Sequence, residues 1–240
     1  MDKAIIILSC INSPLLEPMI NTCQSYSIPI ESIIMDGELS QRDQENVQSR
    51  LDPGYRIKGL ADFNYPDIPF YFVKNHNSKS TIEIIANMKS QYIINSGTPR
   101  ILKGDILTVK RGVLNCHPGI LPKYRGCTCV EWAVYNDDPV GATVHFMNEG
   151  IDDGPIVLQD ALCIPACQSY EIIRTRMLNF TAELMMQGIE RCYANNLVPE
   201  KLVPQGAGSY FKPIPHDKLE DVKQKLSRGL YKNVCERSRK

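Results

Sequence analysis

The sequence carries no excess of either charge: 27 lysines and arginines balance 27 aspartates and glutamates over 240 residues. Nucleic-acid binders usually show a basic excess or a basic stripe, so this balance argues against one. Long apolar runs are also missing. The run at residues 4–8 is too short for a secretory leader or a membrane span. A soluble, cytoplasmic protein with no membrane partner is expected. The turn after that run, Ser9-Cys10-Ile11-Asn12-Ser13, contains no glycine, which excludes the usual dinucleotide fingerprint. The chain also lacks a G-x4-G-K-[ST] phosphate loop, a G-x-S-x-G nucleophile elbow and an H-E-x-x-H zinc helix. There is no Cys-x-x-Cys and there are only four histidines, so no metal site is expected. The nine cysteines are an odd number and read as reduced, mostly buried thiols.

What is present is an ordinary globular composition, 43% hydrophobic and 22% charged, in a chain long enough to bury a sizeable core. Short apolar runs at 4–8, 29–35, 70–73, 92–95, 113–116, 142–147 and 156–158 read as strands. Helical patterns fall at 39–51, 81–89, 126–135 and 169–193, the last with Ile173, Met177, Phe180 and Leu184 on one stripe. A further helix is expected to start near Ser13-Pro14. Residues 52–69 read as a long surface loop. This alternation predicts an α/β fold: a Rossmann-like, mostly parallel sheet flanked by helices. It occupies residues 1–198. Residues 199–240 form a short C-terminal tail, packed on the domain or on a partner subunit. The tail helix has an apolar side of Leu219, Val222 and Leu226, which fits packing within the chain or a homodimer. The basic end, Lys232, Arg237, Arg239 and Lys240, reads as frayed surface.

The densest stretch of unusual residues is Asn115-Cys116-His117-Pro118-Gly119-Ile120-Leu121-Pro122-Lys123-Tyr124-Arg125-Gly126. Residues i and i+2 of a strand share a face, so Asn115 and His117 point together at the strand's C-terminal edge. That edge is where open α/β sheets bind ligands. The later turn Ile151-Asp152-Asp153-Gly154 can bring a carboxylate to them. Amide, imidazole and carboxylate together suit acyl transfer to an amine. The amide NH2 holds a developing oxyanion, the imidazole supplies a proton or a hydrogen bond, and the carboxylate orients the imidazole and takes up a proton. On spacing alone, structural roles for the same residues fit equally well. Cys116 faces the other way and reads as core.

These residues resemble the formyltransferase family that uses 10-formyltetrahydrofolate. Its hallmark is Asn-x-His-Pro-x-x-Leu-Pro followed by an Asp in a Leu/Ile-Asp-x-Gly turn. Asn115, His117, Pro118, Leu121 and Pro122 match the first part, and Ile151-Asp152-Asp153-Gly154 the second. Val144-His145-Phe146 resembles the strand leading into that turn. Ser96-Gly97-Thr98-Pro99-Arg100-Ile101-Leu102 resembles the segment lining the folate site. The resemblance implies that Asn115 binds the formyl oxygen. His117 would stabilise the tetrahedral intermediate and act as the acid, and Asp152, rather than the adjacent Asp153, would hold His117 and assist proton transfer. His145 is either a supporting residue or a packed strand histidine. Arg100, Ile101 and Leu102 would enclose the pterin together with Met147, Asn148, Glu149, Gly150 and Ile151.

The family divides by acceptor. The glycinamide ribonucleotide branch has a glycine-rich phosphate loop after its first strand, which Cys10-Ile11-Asn12-Ser13 lacks. The methionyl-tRNA branch carries a second, nucleic-acid-binding domain, for which only the short tail and zero net charge stand here. The Asn75-His76-Asn77-Ser78 loop resembles the remaining branch, which formylates amino sugars linked to a nucleoside diphosphate. Asn75, His76, Lys123, Tyr124 and Arg125 are the candidate sugar or phosphate contacts, with a solvated turn the other reading of the last three. Tyr210-Phe211-Lys212 either stacks on a base or ties the tail down. The expected activity is N-formylation of a dTDP- or GDP-linked 4-amino-4,6-dideoxysugar for O-antigen or another surface polysaccharide. The alternatives are phosphoribosylglycinamide formylation, hydrolysis of the formyl donor, and an inactive folate or sugar-nucleotide binding protein.

Overall fold

The computed structural model describes residues 3–235. Arg237, Arg239 and Lys240 of the basic end lie outside them. The chain runs β1 (Ile5–Ser9), α1 (Leu16–Ser25), β2 (Ile30–Asp36), α2 (Gln41–Gln48), β3 (Phe70–Val73), α3 (Lys79–Ala86), β4 (Tyr92–Asn95), β5 (Val113–His117), β6 (Arg125–Gly126), α4 (Cys129–Tyr135), β7 (Gly141–Phe146), β8 (Ile156–Ala161), α5 (Tyr170–Asn195), β9 (Tyr210–Phe211) and α6 (His216–Ser227). Seven strands form one sheet in the order β3-β2-β1-β4-β5-β7-β8. The first five are mutually parallel, and β7 runs antiparallel to both β5 and β8.

The continuous apolar run of β1 is what a central parallel strand needs, because helices cover both of its faces. Ile5 and Ile7 point into the larger core with Leu16, Met19, Met185 and Ile189 of α1 and α5. Ile6 and Leu8 point into the smaller one with Ile85, Leu102 and Ile106. The α5 helix starts at Ser169, whose hydroxyl accepts the Ile172 N–H, and ends at Asn196 in the left-handed conformation. It lies close to β7 because Gly188 faces Val144. A Cβ at that glycine would sit 2.7 Å from Val144 Cγ1. No helix among the described residues is long and apolar enough to cross a membrane.

The tail folds back onto the domain. β9 pairs with β6 in a small parallel ladder, and Phe211 stacks on Tyr124 with ring centroids 5.0 Å apart. The Trp132 indole donates to Lys212 O at 2.9 Å. Tyr210-Phe211-Lys212 therefore ties the tail down, and the apolar side of α6 is covered within the chain, with Val222 and Leu226 buried. The cysteine expectation is corrected in one respect: Cys163 and Cys235 form a disulfide. The last described residues run back past the end of β8, where the Cys235 N–H donates to Ile164 O at 3.0 Å. The two Cα atoms come within 5.3 Å, inside the range a disulfide spans. Cys10, Cys23, Cys116, Cys129 and Cys192 are buried free thiols.

Candidate active site

Strand β5 delivers Asn115 and His117 to one side, and buries Cys116 on the other, where desolvation pushes its thiol far up. Antiparallel pairing sets His145 of β7 opposite Asn115, and Thr143 opposite His117. The chain leaving β7 turns through residues 147–154 and returns Asp152 beneath both histidines. Asp152 sits in the left-handed region, with φ of 51°, and its Oδ2 accepts the Gly126 N–H at 2.9 Å. That same oxygen lies 3.4 Å from His117 Nδ1, and Oδ1 lies 3.7 Å from His145 Nε2. Asn115 Nδ2 lies 3.3 Å from His145 Nε2. Asn115 and His117 on β5, His145 on β7 and Asp152 in the turn after it thus form one cluster. Of the adjacent acids, Asp152 is the one that meets His117. The Asp153 carboxylate packs over Gly150, where an added Cβ would come within 2.4 Å of it.

The cluster is held from behind. His117 Nε2–H donates to Tyr124 O at 2.7 Å, so His117 turns its other nitrogen to Asp152. The Thr143 hydroxyl donates to Gly119 O at 2.7 Å and accepts the Leu121 N–H at 3.1 Å, fixing the loop after β5. Gly119 leaves no room for a side chain: a Cβ there would stand 2.7 Å from Tyr124 O and 2.8 Å from His117 Nε2. Replacing Gly119 by Ala is expected to destabilise the fold by about 1–3 kcal/mol through overpacking and to break the His117–Tyr124 bond. Turnover should fall more than the melting temperature explains; turnover at wild-type level would show that His117 needs no such anchor.

Burial lowers the pKa of both imidazoles, that of His145 to about 4, with the Asp152 charge opposing the shift in each. His145 Nδ1–H donates to Phe146 O at 2.9 Å, which leaves Nε2 as an acceptor facing the Asn115 amide. Both His117 nitrogens are committed to protein atoms. The imidazole lining the cleft is that of His145, and His117 stands behind Asp152.

The cleft in front of the cluster has a volume of about 380 Å³, within the usual range for small-molecule sites. Arg100, Ile101, Leu102, Met147, Asn148, Gly150 and Ile151 line it together with Asn115, His145 and Asp152. Glu149 instead turns back to accept the Gly104 N–H at 2.8 Å. Arg100 is clamped in two bonds by buried Asp36, at 2.6 and 2.7 Å. Ile101 and Ile151 are 70% and 49% exposed and line the cleft. Among the described residues no group of His, Cys, Asp and Glu could hold a metal ion.

Several expected acceptor contacts are used by the protein itself. His76 is fully buried; its Nε2 meets Ile34 O at 2.9 Å and its backbone N–H meets Asp36. No face of it remains for a substrate. Asn75 caps its own loop by accepting the Asn77 N–H, and Asn77 in turn braces Ile101 O and the Lys103 N–H of the cleft wall. Tyr124 is buried, with its hydroxyl on Asp138 and its ring on Phe211. Lys123 pairs with Asp138 at 2.7 Å. Arg125 reaches the tail, donating to Gln205 Oε1 and Gly206 O at 3.0 Å each. The loop after β5 is stapled to the tail by these contacts.

Two residues that contribute were not singled out in the sequence. Gln205 donates to Asp152 O at 3.2 Å and Gly154 O at 2.6 Å, holding the acidic turn from the tail. Asn95 ends β4 and bonds Asn115. A polar residue closing an otherwise apolar strand beside the Asn115 strand was a signal for Asn95. For Gln205, in an irregular segment, none existed.

The formyl transferase family model matches residues 5–189. A methionyl-tRNA formyltransferase of Pelotomaculum thermopropionicum is 34% identical over 189 residues, covering 76% of this chain and 57% of that protein. The chain spans about half the length of the curated relatives it matches. Among solved structures, phosphoribosylglycinamide formyltransferase from Anaplasma phagocytophilum superimposes with a TM-score of 0.60 at 17% identity, covering 90% of this chain and 100% of that one. The formyltransferase PseJ from Anoxybacillus kamchatkensis, in complex with UDP-4,6-dideoxy-4-formamido-L-AltNAc and tetrahydrofolate, superimposes with a TM-score of 0.57 at 18% identity, covering 95% and 97%. At these identities the structures share the fold. The sequence match reaches further: the chain belongs to the formyl transferase family, and Asn115, His117 and Asp152 all lie in the part that matches.

Proposed function

We propose that this protein is an N-formyltransferase that moves a formyl group from 10-formyltetrahydrofolate to the amine of a nucleotide-linked amino sugar, of the dTDP- or GDP-linked 4-amino-4,6-dideoxysugar class. Such a product serves surface polysaccharide such as O-antigen. The residues at the cleft fit the donor: exposed Ile101 and Ile151 offer apolar surface to a flat pterin, beside backbone edges at 100–102 and 147–151. When bound, the donor supplies an activated formyl carbon. Asn115 Nδ2 donates to the oxygen that gains charge as the amine attacks. Asp152 accepts the proton that the attacking nitrogen sheds, and the neighbouring His117 shares that proton, since a charged His117 ring is stabilised by the carboxylate. The leaving folate nitrogen takes a proton back from the same pair. No covalent enzyme intermediate is required, because no Ser or Cys nucleophile is part of the cluster. A formylated enzyme trapped by mass spectrometry would contradict this.

The observation that carries the choice of acceptor is the turn after β1. A phosphate cradle needs free backbone N–H groups. Here those of Cys10 and Ile11 donate to Gly97 O and Gly37 O, and those of Ser13 and Leu16 donate within the turn. The Leu15 N–H donates to the Ser13 hydroxyl, which itself donates to Ser96 O at 2.7 Å. The Asn12 side chain accepts the Leu39 N–H at 2.7 Å. This supports a substrate other than glycinamide ribonucleotide. Methionyl-tRNA is the second reading, favoured by the names of the curated relatives and disfavoured by the zero net charge. The test is a panel of acceptors incubated with 10-formyltetrahydrofolate: dTDP-, GDP- and UDP-linked amino sugars, glycinamide ribonucleotide and methionyl-tRNA. Formylation of a sugar nucleotide alone is the expected outcome. Formylation of either of the last two would replace this reading, and donor loss without product would point to a hydrolase.

A further inference from the structure

We infer that Asn95 is a positioning residue for formyl transfer: it determines which end of the Asn115 amide faces the cleft. The inference rests on Asn115 being the oxyanion donor. An asparagine amide can turn its oxygen and nitrogen end for end, and only its hydrogen bonds choose between the two. Asn95 has that choice made for it. Its Oδ1 accepts the backbone N–H groups of Gly97 and Thr98 at 3.2 and 3.1 Å, where an NH2 group would confront two donors. Its Nδ2 is thereby aimed at the adjacent strand, 3.2 Å from Asn115 Oδ1.

A separate anchor acts on the other end of Asn115. The His145 ring donates from Nδ1 to Phe146 O and presents its bare Nε2 to Asn115 Nδ2. Two backbone features, the Gly97–Thr98 N–H pair of the loop after β4 and the Phe146 carbonyl of β7, thus impose the same orientation through Asn95 and His145. The amide nitrogen keeps one N–H beyond its bond to His145, and Asn95, Asn115 and His145 all line the cleft. Flipped, Asn115 would offer a carbonyl oxygen to a carbonyl gaining negative charge, and the stabilisation would become repulsion.

Asn95→Asp separates this role from simple support of the loop. A carboxylate still accepts the Gly97 and Thr98 N–H groups, but it donates nothing to Asn115 and repels its oxygen. Turnover is measured with 10-formyltetrahydrofolate and a dTDP-linked 4-amino-4,6-dideoxysugar in four proteins: wild type, Asn95→Asp, Asn115→Ala and the double variant. The expected result is a kcat about 10-fold lower or worse in Asn95→Asp, with the donor KM changed by less than about 2-fold. In the Asn115→Ala background the same substitution should change kcat by less than about 2-fold, since its target is gone. Wild-type kcat in Asn95→Asp, or the same loss in both backgrounds, overturns the inference. If thermal melting shows Asn95→Asp misfolded, Asn95→Ala takes its place in the cycle with the same non-additivity expected. Full turnover in Asn115→Ala, or none in wild type on any acceptor, overturns the underlying reading as well. An inactive Asn115→Ala beside an unaffected Asn95→Asp overturns only this inference.

Discussion

Asp152→Asn is expected to lower kcat by about 10²-fold or more, with Asp153→Asn staying within a few-fold of wild type. The two acids are adjacent in sequence, and the geometry separates them. Asp152 is held by the Gly126 N–H and lies 3.4 Å from His117, whereas Asp153 packs over Gly150. Asn at position 152 preserves shape and the bond from Gly126 but cannot take up a proton or pair with a charged His117. His117→Asn should therefore fall by a similar factor, and the two losses should not multiply, since the residues act as one unit. The measurement is steady-state turnover of these three variants and of the Asp152→Asn/His117→Asn double variant with saturating donor and acceptor. An active Asp152→Asn alongside an inactive Asp153→Asn would move the assignment by one residue.

The second large effect concerns pH and stability. Burial holds His145 neutral in the fold, at about 4 against an ordinary 6.5. Between those values the unfolded chain binds a proton that the folded chain refuses. Stability therefore rises with pH across this window and is lost as pH falls through it. At about 1.4 kcal/mol per pKa unit, the whole window is worth about 3 kcal/mol, of which about 2 kcal/mol falls between pH 7 and pH 5. The groups facing the ring are Asp152 and Asp153, whose charges oppose the shift, and His117, which adds to it. The pKa values of His76 and His117 are lowered by burial as well, so the wild-type slope has the same sign at each. Denaturant unfolding at pH 7 and pH 5 should show His145→Gln losing about 2 kcal/mol less than wild type over that interval. An unchanged pH dependence would mean that His145 is solvated or already protonated in the fold.

Much of the fold was legible because its signals are local. The apolar run of β1, the short strands β3 and β4 and the stripe of α5 are periodicities that need no partner to be seen. Asn115, His117 and Asp152 were legible for a different reason, through a motif whose spacing places two residues on one strand face. What sequence could not show was the reverse side of each contact. Arg125 and Lys123 are basic residues in a turn, the usual look of a phosphate contact, yet Gln205, Gly206 and Asp138 claim them. His76 reads as polar loop and is buried because Ile34 O and Asp36 satisfy it. Pairing of Cys163 with Cys235 depends on where the tail returns, 72 residues along the chain. Asn95 and Gln205 act through bonds to groups distant in sequence, for which no periodicity exists.

The most direct test of the account is the fate of the formyl group itself. Wild-type protein and His117→Asn are each incubated with 10-formyltetrahydrofolate and a dTDP- or GDP-linked 4-amino-4,6-dideoxysugar, and the sugar nucleotide is weighed by mass spectrometry. The wild-type product should gain one formyl group in step with donor loss, and His117→Asn should form it about 10²-fold more slowly. Donor loss at the same rate without the sugar, or equal product from both proteins, would contradict it.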